Sequence, residues 1–556
     1  MSVLKYSCGC KFIIEDGKEE EIFCKNPITD IPKGKIKLDI YNVPLDCSAT
    51  WKLFADGYNV GLFQLEKSLG QQWMKKVKPQ NIEELACLIS ILRPGILKAV
   101  SGDPPKSMAE RYVDRKHGRE LVDDLGIPDL GNITSDSMGV LIYQEHAIHI
   151  ARDLAGFSES EADILRRAIG HKEADTMAKL EDGFIKGCLR IGKVSKEQGI
   201  EIFGWIRESQ KYSFNRSHAT EYAKNSYWSA YCKTHFPLQF FCSYLRHAEA
   251  KQDRYQEVGD IVNETKLMDI LVNLPDIRDL KENFYIKNNN IYFGLTNVKQ
   301  IGKSSFQKLI SQIKKAEEDL NKDLKDWEWL DYLFYIGEKV PQPTSIALIA
   351  VGALDYFGES RQEMVYTLGF WSNILTGKER EWIKTQQIRW PTILHAVKAC
   401  AHPKKDGGGC NNYKRVKILQ GVAESIENPP HSLKDTLDYI AWSEAEFLGI
   451  SISCSRVEDK KGSIQANCTC RDIFDGKGGY LVLAAKVDRV NEIKTKNNKQ
   501  MAFLTLSDNT CALNDVVVFP NVFSKFKNLF QKESVVLIRG TRSKKGNFVC
   551  NQVSQI

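Results

Sequence analysis

The stretch GVLIYQEHAIHIARDLAGFSESEADILRRAIGHK, residues 139–172, has the periodicity on which the fold of this chain depends. Apolar residues recur at the three- and four-residue spacing of a helix and stop at Gly156. Ser158 followed by Glu161 has the pattern of a capping box, which opens a second helix. Helical spacing continues on both sides of this stretch. The sequence therefore predicts two consecutive helices inside a large helical domain.

Cationic side chains gather at the end of the second predicted helix. Arg166 and Arg167 lie in its last turn, and Lys172 follows Gly170, which we expect to end the helix. Guanidinium groups bind phosphate oxygens in pairs, so this helix end suits a triphosphate. The alternative is purely structural. In that case Asp163 pairs with Arg167 four residues later, and the other cations interact with the helix dipole.

A third informative segment is FNRSHATEYAKNSYWSAYCKTHFP, residues 214–237. It predicts a loop that enters a helix near Ser217 and a helix end before Pro237, because proline cannot continue a helix. His218 and Tyr222 are one turn apart and lie on one face. This polar and aromatic stripe suits the lining of a nucleotide site. The alternative is a core helix whose tyrosines reach the surface with their polar ends.

The densest basic segment covers residues 93–119, with seven Lys or Arg against three acidic residues. Tyr112 lies beside Arg111 and Arg115 in this segment. Cations mixed with an aromatic ring suit nucleic-acid phosphates next to a stacking surface. A charged face that only contacts solvent is the alternative.

Outside these motifs the pattern differs from one part of the chain to the next. Near the N-terminus, Asp16-Gly17 separates two short strand-like runs and predicts a hairpin. After about residue 479, five strand-like runs are separated by turn residues, which fits a small Greek-key barrel of the OB type, a fold that commonly binds single strands. We therefore expect a multidomain α+β protein with a large helical domain, a small helical module and a C-terminal barrel.

The expected boundaries follow from these changes in pattern. They are 1–47 for a short β-rich N-terminal segment, 48–275 for the helical domain, 276–360 for the small helical module, 361–475 for a linker or insertion of mixed structure, and 476–556 for the barrel.

Composition narrows the class of protein. Lys plus Arg number 77 and Asp plus Glu 71, and the resulting net charge of +6 would suit an anionic partner. No apolar run is long enough to cross a bilayer, and the N-terminal residues lack a secretory signal. We therefore expect a cytoplasmic protein with no membrane partner.

The chain has 15 cysteines, an odd number that favours reduced thiols over a disulfide framework. Three clusters are candidates for zinc, although each offers three ligands where a structural site needs four. Zinc is best supported at the first cluster, and buried or idle thiols are the alternative for all. The clusters are Cys8, Cys10 and Cys24; Cys400, His402 and Cys410; and Cys454, Cys468 and Cys470.

Taken in order, these segments resemble the alpha subunit of the bacterial replicative DNA polymerase III, a C-family polymerase. The resemblance extends over about 460 residues. It rests on VGLFQLEKS (60–68), ILRPG (91–95), YVDRKHG (112–118), residues 139–172, residues 214–240, FGLTNVKQIGK (293–303), IAVGALDYFG (349–358), EFLG (446–449) and residues 493–523. It implies the fingers domain, a helix-hairpin-helix module and the OB barrel of that family.

The resemblance also implies a nucleotide site. The cationic residues would form a fingers surface for the dNTP triphosphate and the nearby DNA backbone, a second set would lie near the sugar and base, and a third would shape the site. These are Arg93, Arg166, Arg167 and Lys172 for the triphosphate; Asn215, Ser217, His218 and Tyr222 for the sugar and base; and Tyr143, Gln144 and Glu145 for the shape.

DNA contacts are implied at further basic positions, namely Arg115, Lys116, Lys299, Gly302, Lys303, Lys494 and Lys496. Three residues depart from the family pattern. His171 and Arg216 stand where lysine is usual, and Gln300 stands where a glycine usually lets backbone amides approach phosphate. DNA binding at this hairpin is therefore in question.

The family's catalytic carboxylates are the missing element. Its palm holds two Mg²⁺ ions with an Asp-x-Asp pair and one further Asp. No such pair precedes the fingers in this sequence. Asp39 in KIKLDIYN resembles the third carboxylate, and a surface Asp next to a turn is the alternative.

We therefore expect the C-terminal part of a split, reduced polymerase of phage or viral type, active only with a palm-bearing partner that holds most of the Mg²⁺. Its other partners would be template-primer DNA and dNTPs. A sliding clamp is a further candidate, although we find no convincing clamp-binding peptide. Two other interpretations stay open. One is a non-enzymatic single-stranded DNA-binding or regulatory relative, and the other is a complete enzyme that uses Asp39, Asp123 and Asp124.

Overall fold

The computed structural model forms two compact units, Met1–Pro237 and Leu238–Ile556. The structure describes the backbone alone for residues 11–14, 19–21, 36–37, 100–101, 169–171 and 174–177. The described residues are 11–14, 19–21, 36–37, 40–93, 96–97, 100–101, 105–171, 174–209, 213–248, 250–386, 390–403, 411–458, 460–495, 497–543 and 546–556.

A small antiparallel sheet lies near the N-terminus, with strands β1 (Lys11–Ile14), β2 (Glu19–Glu21) and β3 (Ile36–Lys37) in the order β2-β1-β3. β1 and β2 pair antiparallel, as the predicted hairpin requires. Asp39 and the cysteine cluster of Cys8, Cys10 and Cys24 lie outside the described residues. The predictions made for them therefore stay predictions.

The other described residues of the first unit are mostly helical, and among them β4 (Val100–Ser101) and β5 (Lys106–Ser107) form a short antiparallel ladder. Its helices are α1 (Ser48–Asp56), α2 (Ser68–Val77), α3 (Ile82–Ile91), α4 (Met108–Lys116), α5 (Pro128–Ile133), α6 (Gln144–Ala155), α7 (Glu159–His171), α8 (Ala174–Ile191), α9 (Lys196–Ser209) and α10 (Arg216–His235). The predicted helical character of this part of the chain is thus confirmed, while the domain bounds 48–275 stay a prediction.

The two helices predicted from residues 139–172 are α6 and α7. α6 ends at Gly156, whose φ of 66° is the left-handed conformation that glycine adopts most easily. The capping box is present, since Ser158 N donates to Glu161 Oε2 (2.8 Å) and Glu161 N donates to Ser158 Oγ (3.3 Å). The expected end of the second helix at Gly170 is wrong, because α7 continues to His171. A helix tolerates an internal glycine at a cost of only about 1 kcal/mol.

Buried apolar side chains of α6 to α9 form one core of the first unit. Phe184 and Phe203 meet at its centre with their ring centroids 5.5 Å apart. α10 packs against α1 and α3 instead. The helix that carries His218 and Tyr222 therefore rests on a second layer of helices, and its first residues face α6.

The second unit begins with helices and a small mixed sheet. In the sheet, β6 (Val272–Asn273) runs parallel to β8 (Asn290–Tyr292), and β7 (Tyr285–Lys287) runs antiparallel to β8. The helices are α11 (Pro237–Ala248), α12 (Arg254–Leu267), α13 (Lys303–Leu320), α14 (Trp329–Tyr335), α15 (Gln342–Ala350), α16 (Arg361–Gly369), α17 (Gly377–Thr385), α18 (Ile393–Cys400), α19 (Tyr413–Glu427), α20 (Leu437–Leu448) and α21 (Cys470–Phe474).

Residues 361–475, expected to be a linker or insertion of mixed structure, contain helices α16 to α21. A buried ion pair joins two of these helices, because Arg361 Nη1 of α16 lies 3.1 Å from Glu444 Oε1 of α20. Glu444 Oε2 also accepts from the backbone N–H groups of Ile452 (2.7 Å) and Ser453 (2.9 Å). The segment is therefore held by tertiary contacts along much of its length.

The C-terminal strands close into a barrel, as predicted, in the order β10-β11-β13-β12-β9. The pairing of β11 with β13 is parallel and the others are antiparallel. A short helix, α22 (Pro520–Phe526), connects β11 to β12. The strands are β9 (Tyr480–Lys494), β10 (Gln500–Ser507), β11 (Ala512–Val518), β12 (Val535–Arg542) and β13 (Phe548–Gln555).

Cysteines in the described part of the chain are free thiols, and most are buried. Cys454, Cys468 and Cys470 do not converge on a metal position. The Sγ atoms of Cys454 and Cys468 instead donate to the carbonyls of Leu437 and Val482, respectively, at a distance of 3.4 Å in each case. Cys410 of the second cluster lies outside the described residues. Within the described ranges, no helix combines the length and apolarity needed to cross a membrane.

Candidate nucleotide-binding site

A short backbone bridge brings two distant motifs together. Gln144 N donates to Phe214 O (3.0 Å), and Phe214 N donates to Ile142 O (3.1 Å). These bonds place the start of α6 against the start of α10. Residues predicted to shape the site thus meet residues predicted to lie near the sugar and base.

Glu145 is the main polar link at this junction. Its Oε1 accepts from Asn215 Nδ2 (3.0 Å), and its Oε2 accepts from Arg216 N (3.0 Å). Asn215 Oδ1 in turn caps α10 by accepting from His218 N (3.0 Å). A carboxylate at a helix N-terminus interacts favourably with the unpaired N–H groups and the helix dipole. The start of α10 is therefore held in one position.

Asp136 is a second polar link, and the sequence analysis did not find it. His146 Nε2 donates to Asp136 Oδ1 over 3.1 Å, and Arg216 Nη2 lies 3.0 Å from Asp136 Oδ2. Burial alone would raise the pKa of this carboxyl, but His146 and Arg216 hold it below its ordinary value. Asp136 lies in TSDS, where no motif or periodicity marks it. Its role is to orient Arg216 and the first turn of α6.

Three rings of α10 and its preceding loop lie next to one another, and Phe63, from the connection between α1 and α2, meets the last of them. His218 and Tyr222 have centroids 4.0 Å apart, Phe214 lies 5.5 Å from His218, and Phe63 meets Tyr222 edge-on at 5.1 Å. The Arg93 guanidinium lies over Phe214 at 4.1 Å. We call Phe63, Tyr222, His218 and Phe214 the ring row. His218 of this row and the neighbouring Ser217 are exposed.

The predicted triphosphate residues at the end of α7 are accessible but already paired. Asp163 binds Arg166 Nη2 at 2.8 Å and Arg167 Nη2 at 2.7 Å, and 68% of the Arg167 side chain is exposed. The hydrogen bond from Arg166 lowers the pKa of Asp163. The structural alternative thus describes a real contact, which an incoming phosphate group would have to replace. Lys172 lies outside the described residues.

Comparison with known proteins shows which protein families the sequence resembles. Residues 26–192 match the bacterial DNA polymerase III alpha subunit finger domain, residues 269–364 a helix-hairpin-helix motif, and residues 481–549 an OB-fold nucleic acid binding domain. The chain is similar to the bacterial DNA polymerase III alpha subunits. Its similarity to proteins of that name covers nearly all of its own length.

The alpha subunit of Aquifex aeolicus is 28% identical to the chain over 508 residues, which are 91% of the chain and 38% of that protein. The subunits of Staphylococcus epidermidis and Bacillus subtilis are also 28% identical, over 94% and 91% of the chain and 44% and 41% of their own lengths. The chain therefore spans less than half the length of these alpha subunits.

Two predicted DNA contacts in the finger region need correction. Arg115 is 9% exposed and donates to Glu120 (3.1 Å) and to the carbonyl of Met138 (3.1 Å). Lys116 is 7% exposed and pairs with Glu84 at 2.9 Å. Both residues hold the polypeptide together instead of facing DNA. The prediction followed the resemblance, which gives neither the burial of these side chains nor their ion pairs with Glu84 and Glu120.

Tyr112 does not supply the expected stacking surface, because it is fully buried. It lies beneath the site together with Cys87 and Tyr143, and Cys87 Sγ is 3.3 Å from Tyr143 Oη. Burial raises the pKa of the Cys87 thiol to about 12 and also raises the pKa values of Tyr112 and Tyr143. These groups therefore stay neutral and act as packing. A role of Tyr143 in shaping a nucleotide site stays a prediction.

The helix-hairpin-helix region has a left-handed turn just before α13. Gln300 has a φ of 76°, a conformation that favours the glycine implied at this position by the resemblance. Gly302 precedes α13, and Arg254, Gln300 and Lys303 help to line a cleft of about 420 Å³ beside that helix start. Lys303 is 88% exposed and lies 3.9 Å from Glu282 Oε1, and Lys299 forms an ion pair with Glu446. Gln300 thus keeps the backbone turn and adds a side chain.

At the barrel, Lys494 is exposed at the end of β9, while Lys496 lies outside the described residues. Burial therefore does not prevent Lys494 from contacting DNA.

The donor groups in the described part of the chain do not fit two Mg²⁺ ions. No group of three or more His, Cys, Asp or Glu side chains among the described residues is placed to hold a metal. Asp123 and Asp124, candidates for a complete enzyme, instead accept from the N–H groups of Leu125 (3.0 Å) and Gly126 (2.9 Å). They stabilise a turn, and Asp39, the third member of that set, lies outside the described residues, so the interpretation as a complete enzyme stays a prediction.

Asp136 gives a test of the site's polar framework. We expect Asp136→Asn to lower the free energy of unfolding by about 1–3 kcal/mol at pH 7, because a buried charge-assisted contact is lost. The pKa of the Asp136 carboxyl is lower in the folded protein than in the unfolded chain. Its contribution to the free energy of unfolding is therefore complete above the ordinary pKa and is lost as the pH falls through the pKa of the folded state. Urea denaturation at several pH values measures this. A difference in the free energy of unfolding between wild type and Asp136→Asn that grows below pH ~4 would contradict the stabilising role of the Asp136 carboxylate.

Proposed function

We propose that this chain supplies the nucleotide-binding fingers and the DNA-binding modules of a C-family DNA polymerase. The observation that carries the proposal is the bridge between Tyr143 and Phe214, which joins Glu145, Asn215 and the ring row in one framework. That framework lies within a chain whose finger, helix-hairpin-helix and OB-fold domains follow one another in order.

Each part of a dNTP has a matching group in this proposal. Arg93, Arg166 and Arg167, together with Lys172, bind the triphosphate, because their guanidinium groups can form paired hydrogen bonds with phosphate oxygens. Asn215, Ser217, His218 and Tyr222 contact the sugar and base. Arg216, held by Asp136, adds positive charge beside them.

DNA would be held by the second unit. The OB barrel supplies a surface for the single-stranded template, and the cleft at the start of α13 supplies amides and cations for the duplex backbone. Of the lysines that the sequence predicts to contact DNA, Lys303 at the cleft and Lys494 on the barrel are exposed. Lys496 remains a prediction, as does contact with a sliding clamp.

We further propose that the Mg²⁺-binding carboxylates come from a palm on a separate polypeptide. Asp39 would then add at most one carboxylate from this chain. Two Mg²⁺ ions would activate the primer hydroxyl and stabilise the leaving pyrophosphate in the assembled enzyme. The residues of this chain would bind the nucleotide, orient it and pair with phosphate charge.

Primer extension tests the division of the enzyme between two chains. The assay uses a primed template, Mg²⁺ and four dNTPs, with this chain alone and then with a candidate palm-bearing protein. We expect extension only in the mixture, and Asp39→Ala is then the next variant. Extension by this chain alone would mean that the catalytic carboxylates lie within these 556 residues.

The OB barrel favours one alternative, a non-enzymatic protein that binds single-stranded DNA or regulates replication. Such a protein has no need for a dNTP site. Binding of dNTPs to the purified chain therefore separates the two functions, since a regulator would bind single strands and be indifferent to dNTPs.

A further inference from the structure

The turn at Phe63 forms the outer end of the ring row. Leu62 and Leu65 are fully buried, and Leu65 N donates to Leu62 O (2.9 Å) to close the turn. Between them, Phe63 is 40% exposed and Gln64 has a φ of 66°. A non-glycine residue in the left-handed region is uncommon, and such strain clusters at functional sites. Two buried anchors thus present one aromatic ring to solvent.

The loop that carries Phe63 is held from within. The buried Asn59 donates through Nδ2 to the carbonyls of Leu65 (2.8 Å) and Glu66 (2.7 Å). Gln71 Nε2 donates to Asn59 Oδ1 over 3.1 Å and fixes the orientation of the Asn59 amide. A Cβ atom on Gly70 would lie 2.3 Å from the Leu65 carbonyl oxygen, so α2 packs directly on the loop backbone. The loop therefore holds its shape without a ligand.

A buried lysine ties the same loop to α10. Lys233 Nζ donates to the carbonyls of Tyr58 (3.1 Å) and Val60 (2.7 Å). Burial lowers the pKa of Lys233 well below its ordinary value. α10 also carries Tyr222, whose ring meets Phe63. The position of Phe63 relative to the ring row is thus set by contacts at both ends.

We propose that Phe63 supplies a stacking face for a nucleobase next to His218 and Tyr222. This inference rests on the proposed function. Tyr222 covers Phe63 from the edge only, with an interplanar angle of 86°. An exposed ring held rigidly beside other rings loses little side-chain freedom on binding, and every base offers a π face to it. The base belongs either to the incoming dNTP or to the template-primer.

Phe63→Ala separates base stacking from phosphate binding. We expect this variant to bind dGTP or a primed template about 5- to 100-fold more weakly than the wild-type chain, as alanine substitution of a stacking ring does. Its affinity for inorganic tripolyphosphate, which has no base, stays unchanged. Isothermal titration with dGTP and tripolyphosphate, and fluorescence anisotropy with a labelled primed template, show which base is stacked. Phe63→Trp, which keeps a larger ring, is expected to retain binding.

Leu121→Ala is the matched control, because Leu121 is a 90% exposed apolar side chain outside the ring row. Circular dichroism melts of all variants check that the loop change does not unfold the chain. Suppose that Arg166→Ala weakens dGTP binding while Phe63→Ala leaves both dGTP and DNA binding unchanged. The stacking role is then wrong and the proposed function stands. If the wild-type chain binds neither dGTP nor primed template, both proposals are wrong.

Discussion

Arg361→Ala is expected to lower the free energy of unfolding of the second unit by about 3–5 kcal/mol, since it breaks a buried ion pair and leaves one charge without its partner. Arg361 is 4% exposed and Glu444 is fully buried. The guanidinium also donates to the carbonyl of Ala350 (3.1 Å) and pairs with Asp355 at 2.8 Å. The substitution therefore removes contacts among three elements at once.

Urea denaturation followed by circular dichroism measures this effect as a lower midpoint. Lys398→Ala is the matched control, because Lys398 pairs with Glu427 at 2.9 Å in the same part of the chain but both side chains are half exposed. An exposed pair contributes about 0–1 kcal/mol. Equal midpoints for the two variants would show that the Arg361–Glu444 pair does not hold this segment together.

Replacing Arg166 and Arg167 together by alanine is expected to weaken dNTP binding by about 100-fold or more. A hydrogen bond to a charged group contributes about 1.5–3 kcal/mol, and each arginine would lose at least one. Asp163 competes with the phosphate, because it pairs with both guanidinium groups in the free protein. Part of the intrinsic affinity is therefore used to replace this carboxylate.

Isothermal titration with dGTP measures the effect, and tripolyphosphate should show the same loss because phosphate is the group recognised. Lys186→Ala is the control. Lys186 pairs with Asp182 at 2.7 Å with i, i+4 spacing, as Arg167 does with Asp163, but it lies on α8. Wild-type affinity in the double variant would remove the triphosphate assignment from α7.

Much of the fold could be predicted because the information is local. The capping box at Ser158 and Glu161, the stop of α6 at Gly156 and the strands of the barrel each depend on residues a few positions apart. The end of α7 was missed because Gly170 is compatible with both a helix end and a helix interior. Local preference was too weak to decide between them.

The candidate site could be predicted only in part. Glu145 and Asn215 were identified separately, but their hydrogen bond spans 70 residues and follows from the bridge at Phe214. Asp136 and Phe63 were missed as site residues because neither spacing nor local charge separates them from ordinary turn residues. Arg115 and Lys116 were assigned to DNA because the resemblance carries over a residue's type and not its burial or its ion pairs.

Side-chain chemistry and short-range periodicity thus determined the helices, the barrel strands and the cationic and aromatic residues available for a nucleotide. The tertiary structure decided which of those residues are accessible. It buried Arg115 and Tyr112, exposed Phe63 and aligned His218 with Tyr222. The physical reason is that burial and ion pairing depend on distances in space. Glu84 and Asp136 reach Lys116 and Arg216 only when the helices pack.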